Sequence, residues 1–220
     1  MEKKIVTLDV SNLWTAYINN TMATCVNKYA LQTITDSEIH NIYDKALHLS
    51  KNIVQKITVI FNNENFPIPY GFTDEDVHLN APRLFSDDFW LFYLHEMTIH
   101  GLTAYSLGIT TSHRLDVRQF YSEAFKGASE LYDITLEMMQ SKGLLERTPT
   151  IMLPEKIEFA EKQSFIAGWF GDHRPLNVIE ISSLYFNLQK SIMTKDLVVW
   201  KKRVMRCSTA DWQQISKEGE

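Results

Sequence analysis

The segment Asn63-Glu-Asn-Phe-Pro-Ile-Pro-Tyr-Gly-Phe-Thr-Asp-Glu-Asp76, continued by Asn80-Ala-Pro-Arg83, decides the fold of this chain. Its prolines, glycine, asparagines and acidic residues are rare inside helices and typical of turns and caps, so the segment predicts a long connection. The residues from Asn63 to Phe85 can span about 75 Å when extended, whereas the helix before them is about 40 Å long. The connection can therefore run the full length of a helical bundle.

Four long amphipathic stretches flank this connection, two on each side. Their apolar residues recur at steps of three and four, the spacing of one helix face, while Gly and Pro are gathered between them. Helix starts are predicted at a Thr35–Glu38 capping box, at Ser86 and at Ser112, and Gly143 predicts the end of the last helix. The predicted helices span about 11–33, 36–61, 87–111 and 113–142.

The lengths of the connections predict the topology. The first two helices are joined by two or three residues, as are the last two, so each pair should form an antiparallel hairpin. With one long crossover between the pairs, the sequence predicts an all-α, up-down-down-up, ferritin-like four-helix bundle. The helical spacing places Trp14, Trp90, Tyr93, Tyr105 and Leu115 on the core-facing stripes.

An internal repeat divides the chain. Asp9–Ile18 and Glu180–Gln189 share an acid, a serine, a leucine and an aromatic residue in register. The sequence therefore predicts a bundle over residues 1–148, a linker with a short helix over 149–175, and an extra C-terminal helix over 176–220 that begins a truncated second repeat. Because this fifth helix lacks the neighbours that would cover its apolar face, we expect self-association or binding of another protein through it, and a marginally stable C-terminal third.

Composition and charge restrict the compartment and the partners. The 220 residues are 45% hydrophobic and 22% charged, which is the composition of a folded globular protein. The formal charge of −5 argues against the positively charged surface that binds nucleic acid. No signal peptide is visible, and no apolar run reaches the roughly 20 residues of a membrane span. Cys25 and Cys207, without a CxxC pattern, predict reduced and buried thiols. We therefore expect a cytoplasmic protein without nucleic acid or membrane partners.

Several strings of the sequence resemble one family. The strings Glu64–Val77, Asn80–Asp87, Lys162–Phe165 and Gly171–Asn177 are similar to those of domain-of-unknown-function family 3231 of Bacillus-type bacteria, and the likeness extends from about Leu13 to Val204. The resemblance implies two tandem ferritin-like bundles, a relation to the coat protein F group of spore proteins, and no established activity. This chain departs from that pattern because it stops after the first helix of the second bundle.

The sequence predicts no metal, cofactor or catalytic site. A ferritin-like di-iron centre needs a glutamate on each of two helices and a Glu-x-x-His pair on each of the other two. The first helix has no acid between Val10 and Thr33, and the acids of the second and fourth helices lack the matching histidines: Glu38, Asp44, Glu123, Glu130 and Glu137. His95 and His100 lie about 140° apart around a helix axis, so they cannot bind one ion together.

Other polar residues have structural interpretations. Glu96 and His100 stand at i and i+4, which predicts a hydrogen-bonded pair. The carboxylates Asp74–Asp76 are predicted to stabilise a first helical turn, and Arg83 to anchor the crossover to an acid. No nucleophile elbow and no glycine-rich phosphate loop occur in the sequence.

These observations lead to a hypothesis about function. We expect a non-catalytic structural or assembly protein of a spore-forming bacterium, similar to spore coat proteins through the family resemblance. Two alternatives remain open at this point: a small-ligand or metal-binding ferritin-like protein, and a truncated relict without a selected role.

Overall fold

A computed structural model of the chain describes residues 5–145, 179–185, 187–188 and 191. The chain divides into two compact units, residues 1–145 and 146–220. All regular elements in the described residues are helical, so the described part of the chain is all-α. The predicted linker 149–175, Cys207 and the tail after it lie outside the described residues.

The described residues of the first unit, 5–145, form four long helices and one short 3₁₀ turn. The turn, Asp74–Asp76, begins at Thr73, whose hydroxyl accepts a hydrogen bond from the Glu75 amide. This confirms that the three acids belong to a first helical turn. The long helices are α1 (Thr7–Thr33), α2 (Ser37–Asn63), α3 (Asp87–Thr111) and α4 (Leu115–Ser141).

Two of the predicted helix caps are correct and two are wrong. Ser86 caps α3 by accepting from the Phe89 amide, and Gly143 follows α4 with a φ of 69°, as predicted. The cap of α2 is Asp36 rather than Thr35, because the Thr35 hydroxyl donates to Asp87 instead. Ser112 ends α3 rather than beginning α4, which starts after Arg114.

Helix α1 begins at Thr7, one turn earlier than predicted. The carboxylate of Asp9 accepts a long hydrogen bond of 3.5 Å from the amide of Val6, which satisfies one of the free N–H groups at the helix start. The predicted helix began at Ser11 because the prediction was based on the spacing of apolar residues. The first turn of α1 is instead stabilised by a polar contact, which that spacing does not reveal.

The core consists of two apolar clusters, one toward each end of the bundle. Leu13, Phe61, Tyr105 and Val117 belong to the first cluster, which lies at the end where α1 and α4 begin and where α2 and α3 finish. The second cluster lies at the opposite end and includes Ala30, Ile39, Trp90 and Met139. We call these the first end and the second end of the bundle. Helix α1 contacts α2 and α3, and α4 contacts α2 and α3.

The connection between α2 and α3, residues 64–86, runs along α1 as a strap. Near the start of α1 the ring of Phe66 meets Trp14 edge to face, with centroids 6.4 Å apart. Further along, the thiol of Cys25 donates to the Thr73 carbonyl at 3.2 Å, and Tyr29 Oη donates to the Pro82 carbonyl at 2.6 Å. The prediction that Trp14 faces the core is therefore wrong: it remains 40% exposed and packs under the strap. Cys25 is buried, as predicted.

Gly71 allows the strap to lie this close to α1. A Cβ at this position would stand 2.8 Å from both the Thr21 side chain and the Tyr17 ring. The neighbouring amide of Phe72 donates to Thr21 Oγ1 at 3.1 Å. A side chain at residue 71 would therefore push the strap away from the hydrogen bonds that hold it.

The described residues of the second unit, 179–185, 187–188 and 191, are helical. This agrees with the predicted fifth helix over that stretch. Ile179, Leu184 and Leu188 are exposed. Among the described residues, no helix has the length and apolarity needed to cross a membrane.

Candidate functional site

Several polar side chains are buried near the middle of the bundle, beside apolar ones. Between the two apolar clusters, each of the first three helices contributes polar residues to the interior. We call this set the polar layer: the buried Asn20 of α1, Ser50 of α2, and His95 and Thr98 of α3, with the half-buried Thr24 of α1. In a ferritin-like bundle, metal ligands project into the core from facing helices, so these residues are the ones to test as ligands.

The amide of Asn20 is used entirely within the protein. Its Nδ2 donates to the Ala16 carbonyl at 2.8 Å and to Tyr105 Oη at 3.2 Å, while Tyr105 Oη donates to Asn20 Oδ1 at 3.3 Å. The Thr24 hydroxyl lies 2.8 Å from the Asn20 carbonyl and 3.2 Å from Ser50 Oγ, which itself donates to the Leu47 carbonyl. These bonds tie α1 to α2 and α3.

His95 makes the corresponding link between α3 and α4. Its Nδ1 lies 2.9 Å from Thr135 Oγ1, and its ring stacks on Tyr132 with centroids 4.8 Å apart. The Thr135 hydroxyl donates its proton to the Tyr132 carbonyl, so it accepts from His95, and the Nδ1–H tautomer follows. Burial lowers the pKa of His95, which favours the neutral ring.

The donor set of the polar layer does not fit a di-iron centre. Amide and hydroxyl groups with one neutral imidazole replace the four carboxylates and two imidazoles that such a centre needs. The acids of α2 and α4 point to solvent: Glu38, Asp44, Glu123, Glu130 and Glu137 are all exposed. Within the described part of the chain, no three His, Cys, Asp or Glu side chains come together as metal ligands.

The remaining residues singled out in the sequence lie apart from one another. His95 is buried and His100 is exposed, as their helical spacing predicts. The predicted hydrogen bond between Glu96 and His100 is absent. Burial raises the pKa of Glu96, and the charge of His100 partly opposes that effect. Glu96 and His100 are therefore neighbours without the predicted hydrogen bond.

Three buried polar atoms among the described residues have no hydrogen-bond partner: Asp9 Oδ1, Trp90 Nε1 and Tyr121 Oη. Asp9 and Tyr121 belong to the first end of the bundle. Burial raises the pKa of Tyr121, and the charge of Asp9 raises it further. Trp90 lies at the second end, where the rings of Tyr29, Tyr43 and Tyr93 surround it edge-on.

Charged clasps hold the helix ends together. At the second end, the Asp87 carboxylate accepts from the Thr35 hydroxyl at 2.7 Å and the Asp36 amide at 3.0 Å, and it pairs with Arg83 at 3.0 Å. Arg83 thus anchors the strap to an acid, as predicted. Lys142 Nζ lies 2.7 Å from Asp36, which joins the end of α4 to the start of α2.

A second clasp is centred on Arg114 at the first end. Its guanidinium binds Glu64 at 2.5 Å and Asp116 at 2.6 Å, which joins the end of α2 to the start of α4. The hydrogen bond from Arg114 is the largest cause of the lowered pKa of Asp116. The ion pairs described at the two ends therefore connect one helix to another.

The sequence matches one family, described as a protein of unknown function (DUF3231), over residues 1–157. The chain belongs to the DUF3231 family. No curated protein matches the sequence significantly.

Two solved structures are similar to this DUF3231 protein. A "putative spore coat protein" from Bacillus halodurans has a TM-score of 0.61 at 18% identity, covering 68% of this chain and 97% of its own. A conserved hypothetical protein, Rv2844, from Mycobacterium tuberculosis has a TM-score of 0.51 at 14% identity, covering 61% of this chain and 99% of its own. At these identities the likeness extends to the fold alone.

Sequence reasoning missed the polar layer of the DUF3231 protein. The interior positions of α1 follow the spacing Leu13, Ala16, Asn20, Asn27 and Ala30. Because small and amide side chains occupy these positions, apolar periodicity does not identify the buried face of α1. Larger apolar residues such as Trp14 lie beneath the strap instead. An Asn recurring at the same helical phase as Leu13 was the available signal.

Proposed function

We propose that this DUF3231 protein is a non-catalytic structural or assembly protein of a spore-forming bacterium, with a ferritin-like up-down-down-up bundle. The observation that carries the proposal is the polar layer, whose side chains bond to other groups of the protein in the interior of the bundle. Asn20 bonds to Tyr105, and His95 to Thr135. Amide and hydroxyl groups bonded within the protein, together with a single imidazole, lack the carboxylate ligands that a di-iron centre needs.

The topology is supported by the positions of the helix ends. The first cluster contains residues from the beginnings of α1 and α4 and from the ends of α2 and α3. The second cluster contains residues from the ends of α1 and α4 and from the beginnings of α2 and α3. Two helices running one way and two the other, joined by a strap of bundle length, are the features of the ferritin-like arrangement. The fold likeness to the Bacillus halodurans protein favours a spore-associated role.

We further propose that the fifth helix is the surface for self-association. In the predicted repeat, Leu184 occupies the position of Leu13. Leu13 is 0% exposed inside the first bundle, whereas Leu184 is 57% exposed. Leu188 is one turn further along and is also exposed. The same apolar face that is covered in the first copy is therefore open in the second, and covering it would remove apolar area from water.

Sedimentation velocity of the full chain tests this proposal. The wild-type chain should sediment as an oligomer, and the double variant Leu184→Glu/Leu188→Glu should lose that species because charge is placed on the apolar face. The matched control is Ser183→Glu, at an exposed polar position of the same helix, which should sediment like the wild type. A monomeric wild type, or an unchanged double variant, would contradict the proposal.

A cellular measurement tests the spore-associated part separately. The protein should be recovered in the detergent-resistant coat fraction of spores from its source bacterium. Recovery only from the vegetative cell extract would contradict a coat-like role, whatever the sedimentation result.

A further inference from the structure

The strap carries exposed apolar side chains on the side that faces away from α1. Pro69 is buried, and a Cβ at Gly71 would stand 2.8 Å from side chains of α1, so both residues face that helix. The residues that alternate with them are exposed: Ile68 is 41%, Tyr70 95% and Phe72 43% exposed. Alternating exposure in a non-helical segment places these three side chains together on the outer side of the strap. We call them the strap face.

The backbone beneath the strap face is fixed to α1. The amide of Phe72 donates to Thr21 Oγ1 at 3.1 Å, and the carbonyl of the next residue, Thr73, accepts from the Cys25 thiol at 3.2 Å. Tyr70 lies between the buried Pro69 and the closely packed Gly71, so its ring projects from a backbone that is held on both sides. An aromatic ring on a rigid backbone loses little conformational freedom when a partner covers it.

Three exposed carboxylates follow the strap face directly. Asp74, Glu75 and Asp76 form the 3₁₀ turn, and all three are exposed. Lys28, the only lysine or arginine of α1, pairs with Asp74. Glu75 has no ion-pair partner among the described residues. The strap therefore presents apolar side chains first and uncompensated negative charge immediately after them.

The sequence contains one segment with the complementary order. Val198-Val199-Trp200 is followed by Lys201-Lys202-Arg203, the only run of three consecutive basic residues in a chain of formal charge −5. Residues 198–203 lie outside the part of the chain that the structure describes. When the two segments run in the same direction, the apolar residues of one meet the strap face and its basic residues meet the acidic turn.

We infer that residues 198–203 of one chain dock on the strap face and the acidic turn of a second copy. Tyr70 is 95% exposed in the folded chain, so the group that covers it comes from another molecule. An aromatic anchor beside a charged rim is a common organisation of protein interfaces. Because the charges of the turn are exposed, the contact should weaken as the salt concentration rises.

The contact is heterologous, because its two surfaces belong to different parts of the chain. Heterologous contacts join copies head to tail into a ring or an open chain, whereas an isologous contact closes a pair. The contact requires neither Leu184 nor Leu188 and does not rest on the proposed function. Variants of these two residues therefore separate the strap contact from the fifth-helix contact.

A labelled peptide of residues 194–206 tests the docking. The protein is the full chain carrying Lys201→Glu/Lys202→Glu/Arg203→Glu, so that its own segment does not compete. Fluorescence anisotropy should show saturable binding, which Tyr70→Ser and Glu75→Lys each weaken at least about tenfold. The matched controls on α4, Phe125→Ser and Glu137→Lys, replace exposed residues and should leave the dissociation constant unchanged.

Two altered peptides distinguish docking from general attraction between opposite charges. A scrambled peptide of the same composition should bind at least about tenfold more weakly, because it loses the order of apolar and basic residues. A peptide carrying Lys202→Glu should bind the Glu75→Lys protein more tightly than it binds the protein with Glu75. Equal binding of the scrambled peptide, or no saturable binding of the original one, would overturn the inference.

Sedimentation velocity tests whether the contact joins two copies. The parent is the chain carrying Leu184→Glu/Leu188→Glu, in which the fifth-helix contact is disabled. At concentrations above those at which the fifth-helix oligomer forms, this parent should still produce larger species, and adding Tyr70→Ser should remove them. A parent that remains monomeric at its highest soluble concentration would contradict docking between copies, even if the peptide binds.

Discussion

Replacing Asp87 with alanine should loosen the second end of the bundle. The Asp87 carboxylate receives hydrogen bonds from the Thr35 amide and hydroxyl and from the Asp36 amide, and it is only 16% exposed in its side chain. Its loss removes the clasp between the α1–α2 turn and the start of α3. The neighbouring Asp88 also lies in the first turn of α3 but is exposed, so Asp88→Ala is the matched control.

The expected magnitude follows from three hydrogen bonds. Because the clasp is partly hydrated, each hydrogen bond is given the value of a bond between neutral groups, about 1 kcal/mol. Asp87→Ala should therefore lower the free energy of unfolding by about 3 kcal/mol. Asp88→Ala should cost about 0.5 kcal/mol, the value of an exposed acid at a helix N-terminus. With an m value of about 2 kcal/mol/M, the urea midpoints should fall by about 1.5 M and about 0.25 M.

Urea unfolding followed by circular dichroism measures these midpoints, and its pH dependence checks the cause. Burial by itself raises the pKa of Asp87, but the hydrogen bonds from Thr35 and Asp36 and the charge of Arg83 outweigh burial and lower it. The stabilisation is therefore present above the unfolded pKa of about 3.9 and is lost as the pH falls through the lower folded pKa. Equal midpoints for the Asp87 and Asp88 variants at pH 7 would refute this reasoning.

Two further predictions concern the interior and the strap. Because burial lowers the pKa of His95, the unfolded chain takes up a proton first, so the wild-type unfolding free energy should decrease below about pH 6.5. His95→Gln should weaken this dependence in urea titrations between pH 7 and 5, and His100→Gln should retain it. Gly71→Ala should speed proteolytic cleavage within the strap by pushing it off α1, whereas Gly101→Ala, whose Cβ would meet nothing closer than 3.4 Å, should not. Equal cleavage rates would contradict the close packing at Gly71.

The helices and the crossover were predictable because local chemistry determines them. The turn-forming residues of the strap, the hydroxyl of Ser86 and the glycine at 143 act on their own neighbours, and the structure confirms each of them. Thr35 and Ser112 were misassigned because tertiary contacts compete for the same side chains. Asp87, which lies fifty-two residues away in the sequence, takes the Thr35 hydroxyl that would otherwise cap α2.

The polar interior was not predictable from apolar periodicity. Helix α1 packs against the bundle on one side and against the strap on another, so its buried residues do not form a single apolar stripe. Leu115 was assigned to the core from its spacing, but it is the first residue of α4 and is 62% exposed. The polarity of the interior and the exposure of Leu115 both depend on the position of a side chain along the bundle. Apolar periodicity does not report that position.

Native mass spectrometry of the protein isolated from its source cells tests the central claim most directly. An interior whose described residues hold no cluster of metal ligands predicts masses at whole multiples of the 25.6 kDa chain, with no added component in fixed stoichiometry. A constant added mass that corresponds to a metal ion or an organic ligand on every chain would contradict it.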